Sequence, residues 1–292
     1  MSIADRTHLV AHARPVRNLS ARTVVKYLAV TLFAVPWVVI PLWLMIVNSL
    51  KTPGEAADLS LALPSDWAAV ENYTAVFVKG AYLVGLKNSV LIAVPTVIVV
   101  LLLGAMAAWA YARSTRRSFQ FFFYVTSLSI LLPPAVIPTI FVLTSIDLDG
   151  SLAGYALMMM GTRMGLIVFL TTGFVRGIPV ELEEAAAIDG ASRMRIFFSI
   201  LLPLLRPTLF VGGVLLVIQV WNDFFFALLL LKTSANATLP LTLFSFASAS
   251  TTSLNWNLVF AHVIMTSLPL IIVYLIAQRR VLAGLTEGGV KG

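Results

Sequence analysis

Cysteine is absent from the 292 residues. That excludes a disulfide framework, a thiolate nucleophile and any Cys-based zinc site. Histidine is nearly absent too, with only His8, His12 and His262. The first two lie in a polar amino-terminal stretch, so a histidine-centred catalytic or metal cluster is not expected. Charge is scarce. Asp, Glu, Lys and Arg make up 11% of the chain, about half the share of a soluble domain. An ordinary cytosolic enzyme does not have that balance. A disordered chain would need the opposite, high charge and few apolar residues. What is abundant is hydrophobic, at 59%. The formal net charge of +7 would suggest nucleic acid in a soluble protein. Here its placement suggests membrane topology, and no nucleic-acid partner is expected.

A bilayer core about 30 Å thick takes roughly 20 apolar residues per helix. Stretches without a charged residue run 27–50, 88–112, 118–146, 207–222, 224–231 and 233–278. Turn chemistry and hydropathy divide the chain into six candidate spans, about 27–48, 88–112, 119–144, 154–176, 208–231 and 258–278. The runs are too long, and too apolar all round, for soluble core helices. The expected fold is an all-α membrane protein with six transmembrane helices. Two spans carry one internal charge each, Arg163 and Asp223.

Basic residues set the expected orientation. Arg6, Arg14, Arg17, Arg22 and Lys26 precede span one, and Arg113, Arg116 and Arg117 separate spans two and three. Arg176, Arg193, Arg195 and Arg206 surround the segment between spans four and five, and Arg279, Arg280 and Lys291 follow span six. That places 15 of the 20 on one side, with Lys51, Lys79, Lys87 and Lys232 opposite. Both termini and the 177–207 segment are therefore expected in the cytoplasm, and 51–87 and 232–257 outside. Residues 1–26 read as a polar, basic cytoplasmic tail, disordered and not a cleavable signal peptide. The outer segment 51–87 reads as a loop with one or two short helices, such as 70–78. Pro36 and Pro41 in span one, and Pro133, Pro134 and Pro138 in span three, are expected to bend their helices. Such bends either serve packing or line a path.

The informative stretch runs from Pro179 to Pro207. Pro179 suits a first helical turn. Glu181, Glu183 and Glu184 complement the positive end of the helix dipole. Ala185, Ala186 and Ala187 propagate a helix with little bulk. Asp189-Gly190 reads as a stop, and Ser192 as the cap of a second helix running to about Leu202. The segment is thus a helix, a sharp turn and a second helix outside the bilayer. It either rests on the membrane surface or fits a groove on another protein.

Glu184-Ala185-Ala186, three residues, Gly190, nine residues, then Ile200-Leu201-Leu202-Pro203 meets every fixed position of EAA-x3-G-x9-I-x-LP. This resembles the EAA loop of ABC importer permeases, the binding-protein-dependent inner-membrane components. Within them the chain looks like the carbohydrate-uptake group, and like the shorter maltose-type permease subunit. Glu71-Asn72-Tyr73, the run from Ala107 to Arg113, Trp221-Asn222-Asp223 and the carboxy-terminal Gly284-Leu285-Thr286 are similar too. The resemblance spans 27–292 and implies a type I importer permease fold with 177–207 as the coupling loop. It implies a heterodimer with a second permease, two ATPase subunits and an extracellular or periplasmic solute-binding protein, moving a sugar across the bacterial inner membrane. Glu184, Ala185, Ala186, Asp189, Gly190, Ile200, Leu202 and Pro203 would couple ATPase closure to inward and outward states. The tail from Thr286 to Gly292 would also reach the ATPase pair. The chain has no phosphate-cradling loop, so ATP and Mg would sit on the partner ATPases. This chain would be a non-catalytic subunit without a cofactor or metal.

Arg163, near the middle of its span, is expected to face protein or water. Arg163 and Asp223 are expected either to pair or each to face the pathway, unless Arg163 snorkels outward. Trp221, Asn222, Asp223 and Arg163 are the candidate pathway residues. Trp221, Trp256 and Tyr82 read as interface-belt aromatics or as sugar stackers. His262 reads as a packed, hydrogen-bonded residue. A self-sufficient secondary transporter would need more intramembrane carboxylates than Asp223. An intramembrane enzyme would need a reactive set that the spans lack.

Overall fold

A computed structural model describes residues 21–132, 135–248 and 255–288. Residues 1–20, Pro133 and Pro134, residues 249–254 and the final tail residues 289–292 lie outside them. Two units are distinct, Met1–Met45 and Ile46–Gly292. The first contains helix α1 (Ala21–Ala34) and a π turn, Val35–Val39. The expected bend at Pro36 takes this form: the Ile40 N–H reaches back to the Val35 carbonyl. Helix α2 (Ile40–Asn48) continues the chain.

In the second unit two short helices, α3 (Pro53–Ala57) and α4 (Ala69–Val78), occupy the segment between spans one and two. Helix α5 runs Tyr82–Arg113 and α8 runs Leu152–Arg176. Between them lie α6 (Arg117–Leu128) and α7 (Val136–Ser145). The stretch 119–144 is therefore two helices and not one continuous rod. At about 1.5 Å per residue neither is long enough to cross a bilayer alone.

Helix α9 (Glu181–Ile188) follows, then α10 (Arg193–Ile196), a π turn at Phe197–Leu201 and α11 (Leu202–Trp221). These last three form one apolar helix, Arg193–Trp221. The boundary expected near Leu202 is absent because the π turn absorbs it. The Leu202 N–H bonds to the Phe197 carbonyl, and Pro203, whose nitrogen has no hydrogen, follows in the first turn of α11. The run expected over 208–231 divides at Asn222-Asp223, and α12 is a separate helix, Phe225–Leu230. A 3-10 turn (Ser234–Asn236), α13 (Leu239–Ser248) and α14 (Trp256–Gly288) complete the order.

Among the described residues, five helices are long and apolar enough to cross a membrane. Lipid gives helices no hydrophobic reason to associate, so close backbone approach matters. Small residues supply it here. A Cβ on Gly104 would stand 2.8 Å from Ile167, and one on Gly212 would stand 2.7 Å from the same side chain. Gly165 lies against α6, where a Cβ would meet Ser129 Oγ at 2.3 Å and the Thr126 carbonyl at 2.4 Å.

The loops at the Lys51 end are tied by buried polar groups. Asn72 Nδ2 donates to the Ser49 and Lys51 carbonyls at 2.9 and 2.8 Å, and Asn72 Oδ1 accepts from Asn257 Nδ2 at 2.7 Å. Lys51, 2% exposed, donates to Asn48 Oδ1, the Ser60 carbonyl and Ser60 Oγ at 3.2, 2.9 and 2.8 Å. Three neutral oxygens thus satisfy its three N–H groups. Asn72→Ala strips two carbonyls and one amide of their partner. It should cost about 2 kcal/mol, read as earlier thermal unfolding of the detergent-purified chain.

Candidate functional site

Helix α9 is held on one face and bare on the other. Glu183 is the anchor. Trp109 Nε1 donates to its Oε2 at 2.8 Å, and Arg113 Nε donates to its Oε1 at 2.8 Å. Arg113 Nη2 also donates to the Ile178 carbonyl at 2.9 Å. Trp109 and Arg113 stand one turn apart at the end of α5, so both point to one face. The Trp109 ring stacks on Phe197, 5.8 Å away, in the π turn that begins the rise to α11. One side chain of α9 thereby joins the ends of two long helices.

Gly190 turns the chain at φ +82, a left-handed conformation that costs a residue with a Cβ. Nothing lies within 4 Å of where that Cβ would be, so the backbone, not crowding, requires glycine. Ser192 caps the next helix, accepting from the Arg195 N–H at 3.3 Å. Glu184, Ala185, Asp189 and Gly190 are exposed, and Ala186 is half-buried. Ile188 is 86% exposed, an extreme value for an isoleucine. Ile200 and Leu202 are half-buried, as is Pro203. Leu202 packs against the core formed by Phe197, Leu201 and Leu205. A cleft of about 740 Å³ opens beside α9, between Trp109, Arg113, Arg116, Glu183, Glu184 and Arg193.

Sequence reasoning singled out Glu184 and passed over Glu183. The available signal was the i, i+4 spacing of Trp109 and Arg113 on a helix otherwise apolar.

The second cluster lies where α8 passes the end of α11. Arg163 Nη2 and Asp223 Oδ1 are 3.9 Å apart. Tyr155 Oη donates to Asp223 Oδ2 at 2.5 Å, and the Ala227 N–H donates to the same oxygen at 3.1 Å. Asp223 lies beyond the end of α11, not within it. Asn222 is exposed and its amide donates to the Ile218 carbonyl at 2.9 Å. Trp221 corrects the sequence expectation. It is 8% exposed, and its Nε1 donates to the Thr266 carbonyl at 3.2 Å, so it is neither a belt residue nor open to a sugar. Tyr82 is likewise buried, donating to the Met265 carbonyl at 3.1 Å. His262 is fully buried between Tyr82 and Phe246, with Thr242 Oγ1 3.4 Å from its Nε2.

Residues 100–286 match the model of the family described as binding-protein-dependent transport system inner membrane component. The trehalose transport system permease protein of Mycobacterium tuberculosis is 30% identical over 94% of this chain and all of that one. The probable starch degradation products transport system permease protein of Thermoanaerobacterium thermosulfurigenes is 32% identical over 86% of this chain and 91% of that one. One chain of a bacterial ABC transporter involved in importing the acidic polysaccharide alginate has the same fold. Its TM-score is 0.74 at 22% identity, covering 88% of this chain and 95% of that one. The chain thus belongs to the binding-protein-dependent transport system inner membrane components, as a non-catalytic, multi-pass permease of an ABC transporter in the bacterial inner membrane.

Proposed function

We propose that this permease forms half of the path of an ATP-driven saccharide importer, with α9 and the turn at Gly190 as the point where ATPase subunits act. The observation that carries the reading is the two-sidedness of α9. One face is fixed by Glu183 to Trp109 and Arg113. The other presents Glu184, Ala185, Asp189 and a bare Ile188. A firmly anchored helix with an uncovered apolar tip suits a lever docked in a partner's cleft. Small Ala185 permits close approach. Leu202 seats the second arm against the core, with Ile200 and Pro203 half-buried beside it, so force on Gly190 passes into α11. Glu184 and Asp189 supply acidic contacts for a basic ATPase groove. The assembly would comprise a second permease, two ATPases holding ATP and Mg, and an external binding protein. The 177–207 segment and both termini would face the cytoplasm, in line with the Arg excess. Saccharides are the favoured cargo because the relatives include permeases named for trehalose and starch products. Arg163 and Asp223 would stand beside the path, with Asn222 at its rim.

Purification in mild detergent should bring down an ATPase and a second permease. Uptake into vesicles should require ATP. Gly190→Val, a β-branched residue at positive φ, should lower uptake to about a tenth, since left-handed geometry costs roughly 1–2 kcal/mol. Gly190→Asn, which tolerates that geometry, should keep more than half. A chain that purifies alone and transports without ATP would overturn the importer reading in favour of a secondary transporter.

A further inference from the structure

Arg163 is the twelfth residue of the 25-residue helix α8, far from either end. A guanidinium there is costly, by about 2.5–3.5 kcal/mol on insertion scales. Asp223 offsets only part of that. Their 3.9 Å separation is longer than the ~2.7–2.9 Å of a charge-assisted hydrogen bond. The Asp223 carboxylate already accepts from Tyr155 and Ala227 on its other oxygen. Arg163 Nε is buried without an acceptor, and the side chain is 23% exposed. The pair is therefore not arranged to satisfy itself.

The exposed part of the guanidinium faces a cavity of about 320 Å³, lined also by Ser129, Leu131, Thr162, Leu166 and Gln219. Helices α8 and α11 supply two walls, and the end of α6, drawn in over Gly165, supplies the third. The volume is at the low end of the ~300–1,000 Å³ of small-molecule sites, room for one ring and not for a chain of them.

The hydroxyls of the lining are placed by what they already do, and Gln219 adds an amide that can both donate and accept. Ser129 Oγ donates to the Thr126 carbonyl at 2.7 Å, and Thr162 Oγ1 donates to the Met158 carbonyl at 3.0 Å. Their protons are committed, so toward the cavity they only accept. Arg163 only donates. An occupant that accepts on one side and donates on the other suits these three. A hydroxyl does both, and because Asp223 stands 3.9 Å from Arg163 the ring itself need carry no negative charge. The apolar Leu131 and Leu166 suit the C–H face of a ring.

We propose that this cavity is a solute subsite of this chain for one neutral, polyhydroxylated ring. Arg163 donates to a pair of its oxygens, and Ser129 and Thr162 accept from its hydroxyls. The proposal rests on the importer reading above and names the part of the cargo that this subunit holds.

The test uses the intact importer in proteoliposomes with its binding protein. Trehalose, melibiose and maltotriose serve as neutral probes and glucuronic acid as the anionic one. R163Q and R163K should each lower neutral-sugar uptake about tenfold, because lysine keeps the charge and loses the fork. T162V, nearly isosteric, should lower it several-fold. Full uptake by R163K with loss in R163Q, or a preference for glucuronic acid, would mean that charge is read, and would overturn the neutral ring. Full uptake by T162V would reduce Arg163 to a clamp between α8 and the loop after α11. The natural chain has no cysteine, so T162C supplies its sole thiol. Neutral sugar should slow alkylation of that thiol at least threefold, read by the mass of this chain. No protection by any neutral probe overturns the subsite even where the variants transport poorly. Lack of ATP-dependent uptake by the wild type is the separate failure of the importer reading, and thiol protection still decides the subsite.

Discussion

Glu183→Ala should cut ATP-driven uptake by more than tenfold while the protein still reaches the membrane. Glu183 accepts the only two side-chain hydrogen bonds the described residues show between α9 and α5, from Trp109 and Arg113. Its side chain is 11% exposed and that of Arg113 is 22% exposed, so water screens the pair incompletely. Hydrogen bonds to charged groups contribute about 1.5–3 kcal/mol each. An eight-residue helix has almost no stability of its own, so α9 depends on this anchor. Without it a push on α9 moves α9 alone. Arg113 keeps only the Ile178 carbonyl among the contacts described. Uptake into vesicles measures the first effect, and faster amide exchange over 181–190 measures the second. Glu183→Gln, which retains an acceptor without the charge, should fall between. Wild-type uptake by Glu183→Ala would show that the lever needs no anchor on α5.

The second large effect belongs to Gly165. A valine there places Cβ 2.4 Å from the Thr126 carbonyl and 2.3 Å from Ser129 Oγ. The serine can rotate away, but the backbone carbonyl cannot. Overpacking costs about 1–3 kcal/mol where side chains can yield. Here α6 itself must move, so the cost should reach or exceed the top of that range. The chain should unfold earlier in detergent by ten degrees or more. Helix α6 should also withdraw from the Arg163 cavity, since Ser129 lines it. Gly173, with nothing within 4 Å of its missing Cβ, is the control. Gly173→Ala should be neutral or slightly stabilising. Equal behaviour of the two variants would remove the close-contact argument.

These residues show where a sequence can be read and where it cannot. The turn at Gly190 is local, so the pattern from Glu184 to Pro203 carries it. The anchor is not local. Glu183 is 74 residues from Trp109 and 70 from Arg113, and a glutamate in a first helical turn is already explained by the dipole. Arg163 and Asp223 could be linked because two isolated charges in apolar surroundings need a partner. Tyr155, which shares Asp223, was hidden as one aromatic among many. Helix ends failed where composition and geometry part. The apolar run 224–231 looks continuous with α11, yet the helix stops at Trp221. The run 119–144 looks like one span, yet its helices end at Leu128 and restart at Val136. Trp221 misled for a related reason. Near a span end an indole suits the lipid interface, and only the packing of α14 shows its N–H engaged at Thr266.

The unbroken helix from Arg193 to Trp221 has a mechanical meaning. Its 29 residues make a rod of roughly 44 Å at 1.5 Å per residue. One end starts three residues after Gly190, and the other stops two residues before Asp223. Pivoted at its α9 end, such a rod needs a tilt of only about 5° to carry its far end through ~4 Å. That displacement equals the 3.9 Å between Arg163 and Asp223. A tilt of a few degrees at the α9 end is thus large enough, at the opposite end, to make or break a contact between charges.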